Sequence, residues 1–244
     1  METIPETSLI IQILHCVLSL AAVIVPCALI LVILDRSVKV PRFIFRKLMH
    51  TVAFSSVCVM LCRAESWEAV SITMVLAAAA SWPVLSALEK TSWYSPLLTE
   101  KSPGEVRKSL AMFFVLIACL AALSWGVLKD RFSPVTAVLM WGTGDAAAAL
   151  LGIPFGKHKV RFGASAGKKS REGSFAMLAV SFIFGFASLC IIHGQDLSKA
   201  LIPAFTAALA GTAAELFSPG ELDTVTVPSA VFVVLQIFFR SGLV

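Results

Sequence analysis

The chain has 244 residues, of which 58% are hydrophobic and 14% charged, with a formal net charge of +5. A water-soluble domain carries about a quarter of its residues as charges, so this composition excludes an ordinary soluble globule and indicates a polytopic membrane protein. The basic residues sit in short stretches between apolar runs, a pattern that excludes a nucleic-acid-binding face.

Apolar runs of membrane length predict an all-α transmembrane bundle of about eight helices, seven to nine by how the weaker runs are divided. They lie near 8–34, 47–63, 67–88, 109–128, 132–153, 174–194, 197–217 and 225–241. The first is too long for a signal-peptide core and follows Glu2 and Glu6 rather than a basic leader, so it reads as a retained helix. The second is entered through the charged stretch "FIFRKLMH". The last carries Pro228 in its predicted first turn, where a missing N–H is tolerated. The longest connectors, 89–108 and 154–173, are about 20 residues and leave no room for a soluble domain. The chain therefore reads as one integral membrane domain, 1–244. Its six cysteines all fall in apolar runs with no histidine cluster beside them, which favours packing over a zinc site.

Basic residues are unevenly shared. Arg36, Lys39, Arg42, Arg46 and Lys47 lie between the first and second spans, or at the entry to the second. Lys90, Lys101, Arg107 and Lys108 follow the third span, and Lys157, Lys159, Arg161, Lys168, Lys169 and Arg171 follow the fifth. The positive-inside rule puts these connectors in the cytoplasm and both termini on the opposite side. The scarcity of large loops points to a prokaryotic plasma membrane. The connector after the seventh span, "SPGELDT", belongs to the same face but is acidic.

Two acids, Asp145 and Glu215, lie within apolar spans. An Asp at mid-helix costs about 2.5–3.5 kcal/mol on insertion scales, so such residues mark function unless a neighbouring helix binds them protonated. Small residues accompany both: Gly144, Ala148 and Gly152 in one row, Ala207 and Gly211 before Glu215 in the other. Such rows let helices approach closely, here the fifth and seventh, carrying the two carboxylates together.

The loop "GKHKVRFGASAGKKSREGS" looks at first like a phosphate-binding loop. A Walker A motif needs four residues between its glycines and a hydroxyl after the lysine. Gly163 and Gly167 have three between them, Lys169 follows Lys168, and no strand precedes. The motif is excluded, but the chemistry stands. Gly156 and its neighbours free backbone N–H groups, Lys157, Lys159, Lys168 and Lys169 supply charge, and a helix N-terminus near Gly173 and Ser174 adds a favourable dipole. The same lysines also suit lipid headgroups. His158 can assist them, and Glu172 is open to three roles: first-turn acid, salt-bridge partner or metal ligand. Arg46, Lys47 and His50 form a second basic group, Arg46 and His50 on one face, suited to phosphate or to anchoring at the interface. Glu221 and Asp223 lie near Glu215, and carboxylates with phosphates are the usual ligands of Mg²⁺.

Four stretches together resemble the polyprenol kinase family of membrane proteins, which includes dolichol kinases, phytol kinases and CTP-dependent diacylglycerol kinases. They are "RKLMH" at 46–50, "GDAAAALLGIPFGKHK" at 144–159, "KKSREGSFAM" at 168–177 and "AELFSPGELDTVTVP" at 214–228, most of them within 132–241. The resemblance implies phosphoryl transfer from CTP, with Mg²⁺, to the hydroxyl of a long-chain isoprenoid or other lipid alcohol. It implies a triphosphate laid across Lys157, Lys159, Lys168 and Lys169, with Arg46, Lys47 and His50 adding to it. Metal contacts would come from Asp145, Glu215 and Asp223, one of which accepts the alcohol proton. The chain departs from the family where an Asp-Asn pair is usual, having Asp223-Thr224 instead. Two other readings fit the residues less well. A phosphatidate cytidylyltransferase would carry a Gly-His-Gly-Gly run and a closing Asp-Arg-x-Asp, which this sequence lacks. An ion-coupled transporter would spread its polar residues over both halves, whereas here they gather in the second.

Overall fold

A computed structural model describes residues 8–38, 40–91, 104–161, 163, 166–167, 169–219 and 222–242. Lys39, Lys101, Lys168 and Glu221 lie outside the described residues. Among the described residues eight helices make up the fold: α1 (Leu9–Val38), α2 (Arg42–Arg63), α3 (Trp67–Leu88), α4 (Glu105–Ala121), α5 (Ser133–Phe155), α6 (Arg171–Ile191), α7 (Leu197–Phe217) and α8 (Asp223–Arg240). A π-helical turn, Ala122–Val127, extends α4. All eight are long and apolar enough to cross a membrane, and no soluble domain stands beside them. Apolar side chains such as Ile10, Ile30, Ile183 and Ile202 are more than half exposed, as expected of surfaces that face lipid.

α5 is the central helix, packed on α2, α6 and α8. Lipid tails are as apolar as leucine, so close backbone approach, rather than hydrophobic exclusion, must hold these helices together. A side chain at Gly142 would strike the Phe54 ring of α2, and one at Gly144 would strike Ser181 and Met177 of α6. A β-carbon at Gly152 would come within 3.1 Å of the Gly173 Cα. The small row on α5 therefore seats α6. The row on α7 seats α8, with Gly211 against Val231 and Val227. The two rows do not pack α5 on α7, as the sequence suggested; these helices barely touch, because α6 and α8 link them.

Several helices begin earlier than hydropathy indicates, because their first turns are charged. α2 starts at Arg42 rather than 47, directly after Pro41, so Arg46, Lys47 and His50 belong to the helix body. α4 starts at Glu105 and α6 at Arg171. The start of α6 is set by Ser170, whose side chain accepts the Gly173 N–H at 3.2 Å. α8 starts at Asp223, which moves Pro228 into the second turn.

The two ends of the bundle differ. At one end Asp130 accepts the N–H groups of Phe132 and Ser133 and caps α5, and it also takes Gln236 Nε2 from α8 at 2.5 Å. Nearby, His193 bonds Thr136 at 3.0 Å and stacks on Phe239. Burial pushes the His193 imidazole below its ordinary pKa, against a smaller opposing pull from Asp130. The other end carries the 156–170 loop, the starts of α2, α4, α6 and α8, and the residues singled out from sequence.

Candidate active site

The 156–170 loop is a folded-back strap. Val160 N–H donates to the Lys169 carbonyl at 3.0 Å, Gly167 N–H to the Val160 carbonyl at 2.8 Å, and Arg171 N–H to the His158 carbonyl at 2.9 Å. Val160 is 2% exposed and pins the strap inward. Gly163 takes φ +76°, and a side chain there would meet the Leu216 carbonyl, so the strap lies against the end of α7. Lys159 and Ser170 form the antiparallel bridge, so Lys169 lies opposite Val160, one residue along from Lys159.

Beneath the strap is a cavity of about 580 Å³ between α2, α5, α6, α7 and α8. Among the described residues five cations line it: Arg42, Arg46 and Lys47 from α2, with Lys159 and Lys169 from the strap. Three acids line it: Asp145 from α5, Glu215 from α7 and Asp223 from α8. Asp145 lies ten residues before the end of α5, about 15 Å along the helix axis, and faces Lys47, which comes from the second turn of α2. Gly152, Gly173 and Ser174 form part of the wall where α5 and α6 meet.

The charges are paired. Lys47 Nζ lies 2.5 Å from Asp145 Oδ2. Lys169 Nζ donates to the Glu215 carbonyl at 2.7 Å, sits 2.9 Å from Glu215 Oε1 and is 3.9 Å from Asp223 Oδ2. Glu215 is 5% exposed, and its second oxygen, Oε2, is buried with no hydrogen-bond partner among the described residues. A buried carboxylate oxygen left open beside two further acids is costly unless a cation or proton takes it up. Among the described residues no group of three or more His, Cys, Asp or Glu side chains could hold a metal ion alone. The donor set nonetheless suits Mg²⁺, which is commonly held by one or two carboxylates together with substrate phosphates and water.

The remaining residues singled out from sequence fall around this cavity rather than in its wall. His50 lies one turn below Lys47, within the fields of Asp145 and Arg46. Gly144 serves the α5–α6 contact. Gly156 ends α5, packed tightly against Ser170. Lys157 is exposed on the strap, outside the cavity lining. Glu172 accepts from His158 Nδ1 at 2.7 Å, and the His158 backbone N–H lies within 3.3 Å of both its oxygens, so it is spent on tying the strap to α6. Of the three roles open to Glu172, this geometry is that of a salt-bridge partner.

Two acids of the structure are not singled out by the sequence pattern. Asp35 of α1, 7% exposed, accepts Arg42 Nη1 through both oxygens at 3.0 and 3.2 Å. Glu105 of α4, 2% exposed, pairs with Arg46. Neither acid lines the cavity; each holds an arginine that does. Both sit at helix ends next to basic residues, where hydropathy cannot tell a buried acid from a solvated one. Glu105 carried one weak signal, as an acid just before Arg107 and Lys108 at the start of a span.

No family model matches the chain, and no solved structure matches it. Among curated proteins, the phytol kinase of Synechocystis sp. is 35% identical to it over 115 residues, 44% of this chain and 48% of that protein. The chain thus spans about half the length of the curated relative it matches, and over that part it is similar to a phytol kinase.

Proposed function

We propose that the chain is a membrane-embedded lipid-alcohol kinase. It transfers the γ-phosphoryl group of a nucleoside triphosphate, CTP by the family resemblance, to the hydroxyl of a long-chain isoprenoid or other lipid alcohol. The carrying observation is the cavity under the strap, where basic and acidic side chains from five parts of the fold meet in pairs. The similarity to a phytol kinase supports the same reaction class. The basic end of the bundle faces the cytoplasm in this reading, where the nucleotide is.

Phosphoryl transfer asks for positioning and charge neutralisation more than covalent chemistry. Lys47, Lys159 and Lys169 bind the triphosphate, and Arg46, braced by Glu105, adds a fixed charge to the wall. Lys47 and Lys169 are also partners of the acids, so nucleotide binding exchanges partners: the lysines turn to phosphate and the carboxylates are released. Asp145, Glu215 and Asp223 would hold Mg²⁺, which when bound offsets phosphate charge. Asp145, freed from Lys47, accepts the proton of the alcohol. The alcohol oxygen bonds to Pγ, the bond from Pγ to the β–γ bridging oxygen breaks, and the nucleoside diphosphate leaves.

Purified protein in vesicles containing a long-chain prenol, given CTP labelled at the γ or the α phosphate, tests this reading. Label in lipid from γ-labelled CTP supports the kinase. Label from α-labelled CTP alone contradicts it and makes the protein a cytidylyltransferase. Lipid labelled only from γ-labelled ATP keeps the kinase and removes CTP as its donor.

A further inference from the structure

The cavity has two unlike sides. Toward α7, α8 and the strap it is charged. At the ends of α2 and α5, beside Arg42, Arg46 and Lys47, the lining carries an apolar strip: Phe43 on α2, with Ala149 and Ile153 on α5. Asp145, Ala149 and Ile153 are spaced i, i+4, i+8, so one face of α5 runs from the acid outward to this apolar wall. Deeper in the bundle α2 and α5 are in contact, with Phe54 against Gly142 and Cys58 Sγ 4.0 Å from the Val135 carbonyl. Near the basic end they diverge enough for the cavity to come between them, and there Ile153 is 60% exposed.

We propose that this cleft between the first turn of α2 and the last two turns of α5 is the side entrance for the alkyl chain of the lipid substrate. The proposal rests on the kinase reading and adds where the acceptor sits. A long-chain alcohol is a single apolar chain with one polar end. A slot walled by Phe43, Ala149 and Ile153 that leads to Asp145 fits that shape: the hydroxyl reaches the carboxylate while the chain stays in the slot or in lipid. A triphosphate has no use for an apolar wall. It is served by the cations of the lining, Lys47 with Lys159 and Lys169. The apolar strip is therefore left to the acceptor's chain, and Ala149 sets the width of the slot, being the smallest residue of the three.

Two substitutions narrow the slot. Ala149→Phe fills it, and Ile153→Trp does so from an exposed position where a larger side chain does not disturb packing. For each, KM is measured for a long-chain prenol and for a short, water-soluble prenol. The expected result is at least a tenfold rise in the long-to-short ratio, with the KM for CTP within twofold of the unsubstituted protein. An unchanged ratio in both variants overturns the slot. An independent measurement does not need turnover. A long-chain prenol with a photoreactive group next to its hydroxyl, reconstituted with the protein and irradiated, should label 43–46 or 149–153. Labelling confined to other segments overturns the slot even if the protein proves to be a kinase. Labelling at the slot without any phosphoryl transfer would leave the slot standing and remove the kinase reading.

Discussion

Replacing Lys169 by methionine separates what holds the empty site together from what the site does. In the structure Lys169 pairs with Glu215, whose other oxygen lacks a partner among the described residues, and it also lies near Asp223. Removing it leaves a carboxylate 5% exposed with no counter-ion beside a second acid. Breaking a buried pair from one side costs about 3–5 kcal/mol. Lys169 is 24% exposed at its side chain and the cavity admits water, which reduces this to about 2–3 kcal/mol. For a chain of this length that corresponds to a fall in Tm of roughly 5–10 °C. Adding Glu215→Gln removes the stranded charge, so the double variant should recover most of that fall. It should not recover turnover, because both a phosphate ligand and a carboxylate are gone. The assay is thermal unfolding in detergent beside lipid phosphorylation. A single variant as stable as the unsubstituted protein, or a double variant no more stable than the single, would refute the reasoning.

Three more outcomes follow. Glu105→Gln removes the brace on Arg46 without touching the cavity wall; it should raise the KM for nucleotide about tenfold, a loss of about 1.4 kcal/mol, measured by initial rates at saturating prenol. Chelating divalent cations should stop turnover and added Mg²⁺ restore it; activity that persists after exhaustive chelation would remove Asp145, Glu215 and Asp223 as metal ligands. At the opposite end of the bundle, His193 has a lowered pKa, so the folded protein favours its neutral form. Its contribution is full above the unfolded value, about 6.5, and is lost as pH falls through the lowered folded value. Tm should therefore fall on acidification, and fall less in His193→Gln.

The fold was legible from hydropathy, because a bilayer demands apolar runs long enough to cross it and each of the eight declares itself. The helix starts were not. Arg42, Glu105 and Arg171 are charged and lower the local hydropathy, yet they are helical because ion pairs and the Ser170 cap satisfy them. Asp145 and Glu215 were legible as acids out of place in apolar runs. In sequence their partners Lys47 and Lys169 read as phosphate ligands or as anchors at the membrane interface; the pairing across 98 and 46 residues lies in tertiary packing that no local pattern encodes. In sequence the strap reads only as a phosphate-facing loop. Its backbone pairing, with Val160 buried at its centre, depends on contact with the end of α7 and so has no signature within the loop itself.

The central claim is that the cavity beneath the strap performs phosphoryl transfer, with Asp145 at its deep end. The most direct test compares the unsubstituted protein with Asp145→Asn, the two matched by thermal unfolding and gel filtration. Each is placed in identical prenol-containing vesicles with γ-labelled CTP and Mg²⁺. The account predicts labelled prenyl phosphate from the unsubstituted protein and a rate lower by about 10²–10⁴ in the variant, the range expected for loss of a positioned general base. Equal labelling of lipid by both proteins would contradict it.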